Sequence, residues 1–201
     1  SITVTANTGA VDTLTGGAGA DTFIFATTTG LESTDTVVGG AGTDVISLDA
    51  SAAVTANLTG VRTVEQVTTT GNGGDVIITV GASTISSTGT LTTNASSVTN
   101  GTNTLSYTGS AVTGTGSVQN VTGTAGNDAI IGGSGADIIS GGDGADVIRG
   151  GIGIDNLSGG NGDDIFAVGT ASHFTGLTAA EVVSGGSGND TLRFLTSTAA
   201  V

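Results

Sequence analysis

Between residues 123 and 167 the chain returns to an apolar side chain at every ninth position, at Ile130, Ile139, Ile148, Leu157 and Phe166. Two places before each stands an aspartate: Asp128, Asp137, Asp146, Asp155 and Asp164. The five uninterrupted units read GTAGNDAII, GGSGADIIS, GGDGADVIR, GGIGIDNLS and GGNGDDIFA. Glycines at positions one, two and four predict a tight turn through backbone conformations closed to other residues. Positions seven to nine then predict a very short strand whose middle side chain faces the interior. Two units make one coil, so residues eighteen apart lie above one another at about 4.8 Å, the strand spacing. That stacks Asp128 over Asp146, Asp137 over Asp155 and Asp146 over Asp164.

Isolated copies of the unit occur as GGAGADTFI (16–24), GGAGTDVIS (39–47) and GGSGNDTLR (185–193), with a degenerate TGNGGDVII at 70–78. Elsewhere only the tail of the unit survives, an acid followed two places on by an apolar residue: Asp12 with Leu14, Asp35 with Val37, Glu181 with Val183. A longer duplication links residues 21–40 to 164–186, and its second loop predicts a helical turn or two over 177–183. Val64-Glu-Gln-Val67-Thr is echoed by Val118-Gln-Asn-Val121-Thr. The predicted layout is an N-terminal roll module (1–49), a Thr/Ser-rich β segment (50–122), the five nonapeptides (123–167), an insertion loop (168–184), and a final repeat with its tail (185–201). The 50–122 segment reads as short strands and turns. It is either an independent lobe or a set of irregular rungs of the same solenoid.

Composition sharpens this picture. Glycine (37) and threonine (38) are abundant and oppose helix, so the predicted class is all-β. Acids outnumber bases 17 to 3, a formal charge of −14, and the bases are Arg62, Arg149 and Arg193 without a lysine. This argues against nucleic acid as a partner and against P-loop or Schiff-base chemistry. Of the 17 acids, 12 occupy position six of a unit or its tail equivalent, so the repeat places most of the charge. Cysteine is absent, which excludes disulfides and thiolate metal sites. No apolar run approaches a membrane span. The chain opens on Ser1 without methionine and reads as a processed or excised piece.

Ionised carboxylates at the strand spacing repel by roughly 1 kcal/mol in water and about 3 to 4 at an effective dielectric of 20. A hard divalent cation held by carboxylates and turn carbonyls reverses that sign and ties one coil to the next. Calcium is the expected ion: the donors are oxygen only, magnesium prefers to keep its water, and zinc wants His or Cys. The candidate ligands are Asp128, Asp137, Asp146, Asp155 and Asp164, then the isolated Asp21, Asp44 and Asp190, and finally Asp12, Asp35 and Asp75. Asp143 and Asp163, at variable positions, read as solvated. His173 lies in the insertion without a second histidine, and reads as a loop residue. No G-x-S-x-G elbow or His/Asp pairing is evident, so the expectation is a protein that is not an enzyme. Phe23, Phe25 and Phe166 are expected to plug roll ends.

The nonapeptide resembles the calcium-binding repeat of RTX proteins. The resemblance implies a parallel β-roll, or β-solenoid, with Ca2+ between successive turns along both edges, and export through a type I system. Thr124 in place of a glycine, the shifted glycines before Asp75, and Glu181 in place of aspartate depart from the pattern. The Thr/Gly/Ala/Ser-rich whole is similar to RTX-type surface-layer proteins of Gram-negative bacteria. That likeness implies a secreted, cell-surface structural protein that assembles with copies of itself, with cell-surface lipopolysaccharide as a further partner and no membrane insertion. The alternative is a calcium-binding carrier domain of a larger secreted enzyme, toxin or adhesin.

Overall fold

The structure is a computed structural model that describes residues 3–5, 11–25, 31–82, 84, 89–168 and 181–194. Its strands run, in chain order, β1 (Thr3–Thr5), β2 (Thr13–Ala18), β3 (Thr22–Phe25), β4 (Thr36–Ala41), β5 (Val45–Asp49), β6 (Val54–Asn57) and β7 (Val61–Arg62). There follow β8 (Gln66–Thr70), β9 (Val76–Thr79), β10 (Thr90–Asn94), β11 (Leu105–Thr108), β12 (Val118–Thr122) and β13 (Ala129–Ile131). The last are β14 (Ile138–Asp143), β15 (Val147–Arg149), β16 (Asn156–Asn161), β17 (Ile165–Val168), β18 (Val182–Ser187) and β19 (Thr191–Phe194). One 3-10 turn, Leu58–Gly60, is capped by the Asn57 side chain, which accepts the Thr59 N–H.

Every ladder between these strands is parallel, and the chain alternates between sheets instead of returning in hairpins. One nine-stranded sheet has the order β1-β3-β5-β8-β10-β12-β14-β16-β18, and a seven-stranded sheet the order β19-β17-β15-β13-β11-β9-β6. A third, β2-β4-β7, adds a side to the N-terminal coils. The fold is a parallel β-roll, as the period predicts.

Coil length follows the sequence. Within the nonapeptide run Ile138 lies opposite Asn156 and Val147 opposite Ile165, the eighteen-residue register of two units per coil. Elsewhere the coil is longer: Thr22 lies opposite Val45, Gln66 opposite Thr92, and Thr92 opposite Asn120. Apart from β7, which joins the third sheet, the strands of the Thr/Ser-rich segment thus join the same two sheets as the repeats, as rungs of one solenoid. Extra residues bulge out between rungs, and the ladder register survives because only the connections lengthen.

Alternation places one column of side chains between the sheets. Ile130, Ile139, Ile148, Leu157 and Phe166 are buried, and they continue a core that runs from Phe23 and Ile46 through Val67, Leu91 and Tyr107. The Tyr107 hydroxyl donates to Gln119 Oε1 at 2.8 Å, so the one buried tyrosine brings its own polar partner inside. Phe23 and Phe25 sit on a strand paired on both sides by β1 and β5, so they fill the core and do not close an end. At the far end Phe166 packs beneath Leu192, whose side chain is 49% exposed. Val182 and Val183, from the window predicted as helical, lie on strand β18, with Glu181 just before it; residues 177–180 of that window, like His173, lie outside the described residues.

Candidate metal sites

Each nonapeptide turn leads into a strand, and the aspartate at position six is its last residue before the ladder begins. Parallel stacking therefore sets these aspartates in columns along the roll's edges. On one edge Oδ1 of Asp146 accepts the backbone N–H of Asp128, and Oδ1 of Asp164 that of Asp146, both at 2.8 Å. Asp190 Oδ1 accepts from Asp164 at 3.1 Å, which completes this column. On the other edge Asp155 Oδ1 accepts from Asp137 at 2.9 Å, and Asp44 Oδ1 from Asp21 at 2.8 Å. These side chains are buried, Asp190 excepted.

The second carboxylate oxygen points back over its own turn. A Cβ built on the first glycine of a unit would collide with Oδ2 of that unit's aspartate and, except at Gly150 and Gly185, with a backbone carbonyl of the next coil. At Gly123 these are Asp128 Oδ2 and the Gly141 carbonyl; at Gly132, Asp137 Oδ2 and the Gly150 carbonyl; at Gly16, Asp21 Oδ2 and the Gly39 carbonyl. Gly141 and Gly159 show the same convergence with Asp146 and Asp164, and the Gly159 and Gly185 carbonyls. The glycine is thus required by crowding: its missing side chain leaves the space into which oxygen atoms from two coils converge.

The electrostatics of these cradles are unfavourable without a cation. The Oδ2 atoms of Asp44, Asp146 and Asp164 are buried and accept no hydrogen bond from the protein. Burial pushes the Asp146 carboxyl up to about 7, the charges of Asp128, Asp164 and Asp143 adding to the shift while the Asp128 amide opposes it. Burial also raises Asp164, with Asp190 and Asp163 contributing. Asp128 and Asp137 are raised by burial too, against hydrogen bonds that favour the charged form. For Asp128 these come from Leu105 and from Thr124, whose N–H and hydroxyl both reach the carboxylate; for Asp137 they come from Gln119 and Gly133. The Thr124 departure from the repeat therefore gives Asp128 an extra hydroxyl partner.

Orphaned carboxylate oxygens facing backbone carbonyls are the donor set of a hard cation, and oxygen-only coordination fits Ca2+. Among the described residues no three acidic or histidine side chains gather at one point. Each cradle therefore has one inward carboxylate oxygen, complemented by main-chain carbonyls, while the other oxygen holds an amide. Bound there, calcium would neutralise the buried charge.

The remaining candidates are placed differently. Asp35 Oδ1 accepts from the Asp12 amide at 3.1 Å and its Oδ2 from Glu32 at 2.8 Å, so this pair forms its own short column leading into β2 and β4. Asp75 is exposed, and its Oδ1 accepts from Thr104 of the following coil, the opposite sense to the repeat columns. Asp143 and Asp163 are exposed and bond Asn161 and Asn189 of the next coil. Sequence reasoning passed over Glu65. Its Oε2 accepts the Asp44 N–H at 2.8 Å, so it continues the Asp21–Asp44 column without any glycine motif to announce it.

A parallel roll edged by aspartate columns and glycine cradles is the architecture of a metal-binding repeat protein. The family model of the RTX calcium-binding nonapeptide repeat matches residues 7–25, 29–52, 113–148, 122–157, 140–170 and 175–193, together more than half of the chain. The chain belongs to this family of calcium-binding repeats. No curated protein sequence matches it. Among the described residues no helix is long and apolar enough to cross a membrane.

Proposed function

We propose that this chain is a calcium-stabilised, secreted structural protein that builds a bacterial surface layer or a related extracellular assembly with copies of itself. The observation that carries the reading is that Asp44, Asp146 and Asp164 each spend one buried oxygen on the neighbouring coil and leave the other, without a hydrogen bond, facing carbonyls. Such an arrangement opposes folding where calcium is scarce and favours it where calcium is plentiful. The ion then acts as a switch of location, the chain remaining exportable inside the cell and folding outside. Its role in this reading is architectural and not catalytic. Ile152 and Ile154, at the variable positions of their turn, are each more than half exposed and supply apolar surface for contacts between copies. Cell-surface lipopolysaccharide is the proposed anchor.

Circular dichroism and thermal melting across a calcium titration test the switch; a β spectrum and melting point unmoved by chelator would defeat it. Electron microscopy of the calcium-loaded protein tests the assembly. Ordered sheets or filaments support it, whereas dispersed particles favour a carrier domain of a larger secreted protein.

A further inference from the structure

The coil that follows Asp44 has no nonapeptide. Residues 61–65 read Val-Arg-Thr-Val-Glu, and they fall in the gap between the family matches that end at 52 and resume at 113. Yet this coil reproduces both oxygen positions of a repeat turn. The β4–β7 register sets Val38 opposite Arg62, so Thr63 lies over Gly39. A Cβ on Gly39 would strike Asp44 Oδ2 and the Thr63 carbonyl, the convergence that at Gly16 is made by Asp21 Oδ2 and the Gly39 carbonyl. Glu65 meanwhile takes the next aspartate's place, accepting the Asp44 amide as Asp44 accepts that of Asp21.

Two further observations point to a ligand. Asp44 is fully buried, and its Oδ2 has no hydrogen-bond partner. Thr63 is the one non-glycine residue with positive φ among those described, at 51°. A β-branched residue avoids this region. The turn holds it there with the Thr63 carbonyl over the Gly39 cradle and its hydroxyl accepting the Gly40 N–H at 2.9 Å. In repeat turns the aspartate follows the first glycine by five positions; here Glu65 follows Thr63 by two, and the longer side chain spans the shortened turn.

We propose that Asp44, Thr63 and Glu65 form a calcium site in which a coil without the repeat motif completes the half-site left by the last N-terminal nonapeptide. Asp44 Oδ2 and the Thr63 carbonyl supply inward oxygens, and Glu65 contributes its carboxylate charge from the adjacent coil. This rests on the reading that the repeat cradles bind calcium, and it extends that chemistry to residues outside the repeats.

The test is calorimetric calcium titration of the full chain, wild type against Glu65→Gln, with amide NMR shifts followed at Asp44 and Thr63. Glutamine keeps an oxygen for the Asp44 N–H and removes only the charge. The expected result is one ion fewer per chain, or at least a tenfold weaker step, with calcium-dependent shifts of Asp44 and Thr63 lost or displaced to higher calcium and those around Asp146 retained. Unchanged stoichiometry and affinity in Glu65→Gln, with Asp44 and Thr63 unmoved by calcium in the wild type, would overturn this site alone. A wild type that binds no calcium would overturn the parent reading as well. If Glu65→Gln does not fold, the wild-type shifts decide: movement of both amides supports the site, and silence at both refutes it.

Discussion

Asp146 and Asp128 stand one coil apart on the same edge: Oδ1 of Asp146 accepts the Asp128 N–H at 2.8 Å, while its buried Oδ2 accepts nothing from the protein. One oxygen therefore fixes the register of the coils, and the other waits for a cation. The two roles separate by substitution.

Asp146→Asn keeps an acceptor for the Asp128 amide and removes a charge that lies between Asp128 and Asp164. Without calcium the variant is expected to be more stable than wild type, by roughly 1 to 3 kcal/mol, through relief of like-charge repulsion. With saturating calcium it is expected to be less stable by a similar amount or more, because a ligand is lost. Denaturant melts with and without chelator check the change of sign.

The pH dependence follows from the same residue. Burial first, then the neighbouring carboxylates, raise Asp146 to about 7 from an unfolded value near 3.8. A carboxyl raised on folding binds its proton more tightly in the folded chain, so the calcium-free roll gains stability as pH falls from about 7 towards 4 and loses it as pH rises through that window. Calcium needs the ionised form, so its affinity is expected to weaken below pH 7 and its uptake to release protons. Melting points of the chelated protein at pH 5 and pH 8, with the second lower, are the measurement.

Two glycines at the same position of their units separate conformation from crowding. Gly160 has φ 124°, and a Cβ there would strike the Gly142 backbone; Gly17 has φ 128° with nothing within 4 Å. Gly17→Ala is expected to cost about 1 to 3 kcal/mol, the conformational penalty alone. Gly160→Ala is expected to cost clearly more, since two backbones must part. Paired denaturant titrations read the difference.

The core column gives a calcium-independent control. Ile148 is fully buried with Ile130 and Phe166 on the flanking rungs, and Ile148→Ala is expected to cost about 2 to 4 kcal/mol. Leu192→Ala, on the last described rung and half exposed, is expected to cost under about 1 kcal/mol. Equal losses would contradict the order of the rungs.

The nine-residue period made the eighteen-residue coil and the inward positions legible, because glycine spacing and alternation act locally. It did not reveal that strands such as β8, β10 and β11 continue the same sheets. Their coils differ in length, and register between unequal coils is set by cross-strand pairing that leaves no period in the sequence. Glu65 was hidden for a related reason. Its place in the Asp21–Asp44 column is fixed by the coil beneath it, whereas the sequence shows only an acid between Val64 and Gln66. The division of labour between Oδ1 and Oδ2 was equally illegible: two stacked carboxylates predict a shared ion, but the amide that claims one oxygen becomes visible only in the ladder.

The central claim, that successive coils share calcium at the glycine cradles, is tested most directly by an anomalous difference map from crystals of the calcium-loaded protein. The account predicts peaks in contact with Oδ2 of Asp146 and Asp164 and with carbonyls of the adjoining coil, in line along the roll's edge. A well-ordered roll grown in millimolar calcium, with no peak at those oxygens, would contradict it.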